Sequence, residues 1–201
     1  ATWSGLQGTN YRFQGNGANY LSPFYSPELY GAHGWIGTDK PGWFPEWLPW
    51  STAMFVMWIP AGFRFTCYYY RGAYYKAFWM DPPACAVGEP RHDYRGENSF
   101  PLIFQNIHRY FMYLALAFIA VLSYDVYEAM WFTGSDGVAH FGIGLGTLIL
   151  AINVTLIGGY TFGCHSFRHL IGGGLNLLSK HPVRKKAYDC SSCLNKKHML
   201  W

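Results

Sequence analysis

The residues of this chain best suited to chemistry lie close together, between positions 163 and 193. His165 and His169 are four apart, so on a helix they share one face, one turn apart. Cys190 and Cys193 form a Cys-x-x-Cys pair, a chelating spacing used by zinc and iron–sulfur centres. Three of the five cysteines and three of the eight histidines fall inside this stretch. Two thiolates and two imidazoles admit two main metals. Structural Zn²⁺ takes such a set tetrahedrally and staples a loop to a helix. A Rieske-type 2Fe-2S cluster takes two Cys on one iron and two His on the other, which raises its potential. Spacing alone leaves that choice open, and it differs from the short Cys-x-His boxes of soluble Rieske domains. A surface Cys-x-x-Cys beside two interfacial histidines, with no metal, is the plain alternative.

A second group surrounds His108 and Arg109, preceded by Gln105 and Asn106. With Tyr68, Tyr70 and Arg71 they could border a quinone pocket, since quinone reduction needs hydrogen-bond donors on the carbonyls and a proton supply. A polar network tying helix ends together is the competing reading. Haem b is the rival cofactor, with His108 and His165 as axial ligands from different helices at one depth; His169 and the Cys-x-x-Cys would then have no role. The basic run 180–186 suits lipid headgroups or an acidic partner more than catalysis.

These groups need elements to position them, and composition says which kind. Apolar residues make up 51% of the chain, aromatics 20% and charged residues 13%, about half the charge of an ordinary soluble domain. Trp and Tyr are abundant, as at membrane–water interfaces, and nothing points to nucleic acid. The expected fold is an all-α membrane protein, a transmembrane helix bundle of at least three spans. Those spans are residues 47–67, 102–124 and 138–163. Pro49 suits the first turn of the first span, and Pro60 would kink it. The third would run on through His165 and His169 until Gly172, Gly173 and Gly174 break it. Residues 1–46, rich in Gly, Asn and aromatics, read as an irregular cap on the membrane surface, with Trp43, Trp47 and Trp50 as an aromatic belt. Residues 47–201 form the helical domain, with loops 68–101 and 170–197. The chain lacks an initiating Met, so it is expected to be part of a longer product with further helices.

Charge orients the bundle. Five Lys or Arg lie between 64 and 97 and seven between 164 and 197, against none between 125 and 137. Alternating spans put both basic segments on one side, which the positive-inside rule makes cytoplasmic. Five cysteines then share that side with His92, His108, His165, His169, His181 and His198, while the cap lies outside. A reducing cytoplasm argues against structural disulfides, so these thiols are free, metal-bound or catalytic.

Four segments together resemble the membrane-anchor subunit of actinobacterial succinate dehydrogenase, of the mycobacterial kind called type F. They are Arg64-Phe65-Thr66-Cys67-Tyr68-Tyr69-Tyr70-Arg71, Asp81-Pro82-Pro83-Ala84-Cys85, Cys164-His165-Ser166-Phe167-Arg168-His169 and Asp189-Cys190-Ser191-Ser192-Cys193. The resemblance covers residue 47 to the end. It implies a bacterial plasma-membrane complex with a flavoprotein that oxidises succinate and an iron–sulfur protein that relays electrons, with a possible higher oligomer. It also implies electron delivery to membrane quinone through a Rieske-type 2Fe-2S cluster in place of haem, with no succinate site in this chain. The ligands do not come with the resemblance. Spacing assigns them as His165, His169, Cys190 and Cys193, with Cys67, Cys85, Cys164 and His108 as the first substitutes.

Overall fold

The computed structural model describes residues 12–15, 18–21, 26–27, 29–30, 35–37, 40–48, 50–67, 103–134 and 136–201; for 12–15, 18–21, 104 and 105 it describes the backbone only. Tyr68, Tyr70, Arg71, Cys85 and the expected loop 68–101 lie outside these residues.

In chain order the elements are strands β1 (Arg12–Gly15) and β2 (Ala18–Leu21), helices α1 (Ala53–Val56), α2 (Trp58–Phe65) and α3 (Ile103–Glu128), strands β3 (Trp131–Thr133) and β4 (Ala139–Phe141), then helices α4 (Leu145–Phe162), α5 (His165–Gly172) and α6 (Pro182–Lys196). A 3-10 turn, Leu178–Lys180, precedes α6. The architecture is mostly helical, with two small antiparallel hairpins, β1–β2 and β3–β4. The first shows regular pairing inside a stretch whose Gly and Asn content had suggested turns alone: Arg12 lies opposite Leu21 and Gly15 opposite Ala18.

Among the described residues, two helices are long and apolar enough to cross a membrane: Asn106–Glu128, 23 residues, and Leu145–Phe162, 18 residues. At 1.5 Å per residue they reach about 35 and 27 Å, against a hydrocarbon core of about 30 Å. Only 22% of each apolar window is buried, whereas a soluble protein would hide most of so apolar a helix in its core.

The expected first span is present as a shorter, interrupted apolar helix. It starts at Ala53 and breaks at Met57. Pro60 explains the position of the break. It has no N–H for the carbonyl of Val56, four residues earlier, and its ring crowds that carbonyl. The third expected span begins later than its hydropathy suggested. Residues 139–141 are strand, paired in register Trp131↔Phe141 and Thr133↔Ala139. The intervening turn has its own chemistry. Gly137 takes φ 75°, and Asp136 accepts hydrogen bonds from the Val138 N–H at 3.1 Å and from His140 at 3.0 Å.

The far end of that span also differs. Instead of running on through His169, α4 stops at Phe162, Cys164 is extended with φ −64° and ψ 142°, and α5 starts afresh. The expected loop 170–197 contains a 15-residue helix, α6. Pro182 opens it at the position where its missing N–H costs nothing, and the Arg184-Lys185-Lys186-Ala187 run that follows consists of good helix formers.

The chain divides into two compact units. One comprises Ala1–Trp58 and Ala117–Gly158. Its aromatic cluster sets Phe44 edge-on to Trp50 at 4.9 Å, with Trp50 5.5 Å from Phe55. Trp43 and Trp47 remain exposed, as belt residues would. The other unit comprises Ile59–Leu116 and Gly159–Trp201. Its core is Phe63, Met112, Ala115 and Cys164, with Phe111, Tyr160 and Phe167 packed against it. All the chemistry described below lies in this second unit.

Candidate metal centre

The break between α4 and α5 builds the site. Ending a helix leaves its last carbonyls without partners, and here each finds one. The Gly159 carbonyl accepts from the Gly163 N–H at 3.0 Å and the Thr161 carbonyl from the Cys164 N–H at 3.1 Å. Two side chains of α6 take the next pair. The Ser191 hydroxyl donates to the Phe162 carbonyl at 2.7 Å, and the Asn195 amide donates to the Gly163 carbonyl at 2.7 Å. The two backbones touch at this point. A Cβ on Gly163 would stand 3.0 Å from the Leu194 carbonyl carbon and 2.9 Å from the Gly159 oxygen. Arg184 fastens the other end of α6 by donating to the Ile171 carbonyl at 2.8 Å and the Gly173 carbonyl at 2.9 Å. Arg168 on α5 reaches Asn195 at 3.2 Å and the Tyr188 hydroxyl at 2.9 Å.

This bracing turns Cys164 inward, where it is 2% exposed, against His108 of α3, 3% exposed. His108 Nε2 lies 3.0 Å from Cys164 Sγ, and its Nδ1 lies 3.0 Å from Thr66 Oγ1. The proton positions follow from Thr66. Its single hydroxyl proton is donated to the Gly62 carbonyl at 2.8 Å, so its oxygen accepts from His108 Nδ1–H. Nε2 is then left as the acceptor for the Cys164 thiol. Phe63 stacks on the imidazole at 4.6 Å and fixes its plane. Burial pushes the Cys164 thiol up to about 11, so it keeps its proton at neutral pH.

Cys67, His108, Cys164, His165, Ser166 and the segment from Asn195 to Leu200 line one cavity of about 680 Å³. Cys67 is as buried as Cys164. His198 enters from the turn after α6 and stacks on Tyr160 at 4.2 Å. Its Nδ1 is buried without a hydrogen-bond partner, an arrangement that costs free energy unless something fills the gap. Burial lowers the His198 pKa, keeping the ring neutral and able to ligate.

The residues expected from spacing are arranged differently. His165 and His169 do meet, Nε2 to Nε2 at 2.9 Å, but on the exposed side of α5. Burial, then the neighbouring His169 and Arg168, lower the His165 pKa. Cys190 and Cys193 are exposed on α6. On a helix they stand about 60° apart, facing away from the side that Ser191 turns toward Phe162. Among the described residues no three His, Cys, Asp or Glu side chains converge on one point as the ligands of a single ion would. The expected set of His165, His169, Cys190 and Cys193 is therefore not gathered. It assumed a flexible loop carrying the Cys-x-x-Cys, and a helix holds those thiols outward. Of the expected quinone-pocket residues that are described, His108 is buried and Arg109 exposed. His108 and His165, the haem pair, line the same cavity.

Five donors of the types a Rieske-type centre takes line the cavity: Cys67, Cys164, His108, His165 and His198. A cluster with two irons asks for pairs of ligands, not three groups on one point. Thr66 holding Nδ1–H of His108 is the kind of outer support that ligating histidines have, and it leaves Nε2 facing Cys164. These donors are of the types such a cluster takes. Cys67, Cys164 and His108 were legible as substitute donors; that His198 reaches the same cavity was not, because only the turn after α6 brings it near.

A family model described as actinobacterial succinate dehydrogenase subunit SdhC matches residues 1–201. No curated protein matches the chain. Among solved structures, a chain of the Mycobacterium smegmatis Sdh1 complex in the apo form is 43% identical, with a TM-score of 0.75, over 99% of this chain and 73% of that one.

Proposed function

The chain belongs to the family of actinobacterial succinate dehydrogenase SdhC subunits, and from that premise we propose that it carries electrons from an iron–sulfur subunit to membrane quinone through a Rieske-type 2Fe-2S cluster. Its partners are that iron–sulfur subunit and a succinate-oxidising flavoprotein, as in the succinate dehydrogenase complexes of its family. Cys67, Cys164, His108 and His198 would hold the cluster, and their shared cavity is the observation that carries this reading. When bound, the cluster would supply one-electron transfer between the soluble subunits and quinone. The chain's own residues prepare the place. Thr66 sets the His108 tautomer, Phe63 holds its ring plane, and the α4–α5 break with its α6 brace points Cys164 inward.

We also infer a plasma-membrane location with the basic segments cytoplasmic, supported by the absence of Lys and Arg between 125 and 137. Residues Ala53–Phe65 serve as a third crossing in this reading. Those 13 residues cover about 20 Å as a helix, so flanking residues complete the passage.

Paramagnetic resonance on the dithionite-reduced complex tests the assignment. A low-average-g signal is expected in the wild type. It is lost in Cys164→Ser and His198→Ala and retained in His165→Ala/His169→Ala and Cys190→Ser/Cys193→Ser. The opposite pattern would return the ligands to the pairs predicted from spacing. Zinc without iron or acid-labile sulfide would remove the redox reading altogether.

A further inference from the structure

His198 lies in the turn 197–200 after α6, where nothing in helix geometry would hold it over the cavity. Two contacts on α4 do. Its ring stacks on Tyr160 at 4.2 Å with planes 18° apart. Three residues later the indole of Trp201 lies flat on Gly159: a Cβ there would meet Trp201 Cδ2 at 2.8 Å, Cε3 at 3.0 Å and Cγ at 3.1 Å. The indole N–H donates to the Leu194 carbonyl at 3.1 Å, which ties the same residue back to α6. Between these anchors, the Lys197 N–H donates to the Leu194 carbonyl at 3.1 Å, the His198 N–H to the Asn195 carbonyl at 3.1 Å, and the Leu200 N–H to the Lys197 carbonyl at 2.8 Å. Met199 and Leu200, though largely exposed, complete the cavity wall.

We propose that Gly159 and Trp201 form a lock whose task is to hold His198 in the cavity wall beside Cys67, His108 and Cys164. Both are positioning residues: neither would touch the metal, and each acts through the turn. The lock explains a glycine in mid-helix. Glycine weakens a helix relative to alanine, and at 159 that weakness is the condition for the indole to lie against the backbone. Trp201 in turn has a polar handle that needs a buried acceptor, and Leu194 supplies it. The inference rests on the cluster assignment for its purpose, but the existence of the lock can be tested without it.

The test compares Gly159→Ala, Trp201→Ala, Trp201→Phe and Gly159→Ala/Trp201→Ala in the intact complex by hydrogen exchange and by paramagnetic resonance. Gly159→Ala is expected to speed exchange of the Lys197, His198 and Leu200 amides by tenfold or more while leaving α4 as protected as before, because alanine is the better helix former. Trp201→Ala should do the same, and the double variant should be no worse than Trp201→Ala alone, since two residues acting as one unit are not additive. Trp201→Phe, which fills the notch without the N–H, should fall between. The g values and midpoint potential of the centre should shift in the same order. Unchanged exchange in the turn, additive effects, or faster exchange spread along α4 would overturn the lock. Faster exchange with unaltered g values and potential would overturn its role in placing His198. A wild-type complex without the 2Fe-2S signal would refute the cluster reading, and the exchange data would still decide on the lock.

Discussion

At the scale of single residues, Thr66 is the most consequential side chain outside the donor set. It is 3% exposed and is the group that sends the His108 proton to Nδ1. Replacing its hydroxyl with a methyl in Thr66→Val keeps the shape but leaves a buried N–H unpaired, at a cost of about 1–3 kcal/mol. The imidazole would then be free to flip, with Nε2 no longer held toward Cys164. The expected outcome is a lowered melting temperature together with reduced iron content in the purified complex. Thr66→Ser, which keeps the hydroxyl, should restore both. Loss in Thr66→Ser with Thr66→Val unaffected would show that the methyl, not the hydroxyl, is what matters at this position.

At the scale of elements, the decisive feature is the break at Gly163 and Cys164. Had α4 continued, Cys164 would have stayed on a straight helix, without the extended backbone that turns it toward His108. The break persists because Ser191 and Asn195 take the freed carbonyls and because Gly163 lets the α6 backbone come close. Gly163→Ala should therefore push α6 outward and destabilise the unit by about 1–3 kcal/mol, the usual cost of overpacking. Thermal unfolding of the complex measures the loss. A stabilised variant, as helix propensity alone predicts for alanine, would show that the close approach is not required. Much of this was hard to see in the sequence, since the one residue that α6 buries is Ser191, with Ser192 and Asn195 half-buried beside it. A polar buried face gives no apolar periodicity, and the run of lysines beside it reads as a solvated loop.

At the scale of the whole chain, burial sorts the described thiols into two classes. Cys67 and Cys164 are buried; Cys190 and Cys193 are exposed. Labelling of the cluster-free complex with iodoacetamide, followed by mass spectrometry, should modify Cys190 and Cys193 first. For Cys164 the ionisation adds to the protection. With its pKa raised to about 11, only about one part in a thousand is thiolate at pH 8, and the thiolate is the nucleophile. The sign follows: its labelling should keep accelerating as pH rises from 8 towards 11. Early labelling of Cys164 at pH 7, or a rate that levels off below pH 9, would contradict its placement against His108. Among the described residues, the two helices long enough to cross a membrane carry most of their apolar side chains outward. Met112 and Ala115 of α3 instead pack inward, by the van der Waals contact that holds helices together where no water is displaced.

The sequence alone determined the class of molecule. A long apolar run with few charges has one low-energy solution, a helix whose backbone bonds are satisfied internally, so α3 and most of α4 were legible without coordinates. Motif identity in the segments around Cys67, Cys164 and Cys190 was also enough to point to the family. What it could not determine was which donors share a cavity. Spacing reports neighbours along one element, and by that measure His165 pairs with His169 and Cys190 with Cys193. The tertiary structure brings Cys67, His108, Cys164, His165 and His198 to one cavity, through a helix break whose carbonyls are capped by α6 and a turn pinned by Trp201. Both depend on contacts between residues more than thirty positions apart, Gly163 with Asn195 and Gly159 with Trp201. Such contacts are set by packing and by the need to pair buried polar groups, and no local pattern encodes them.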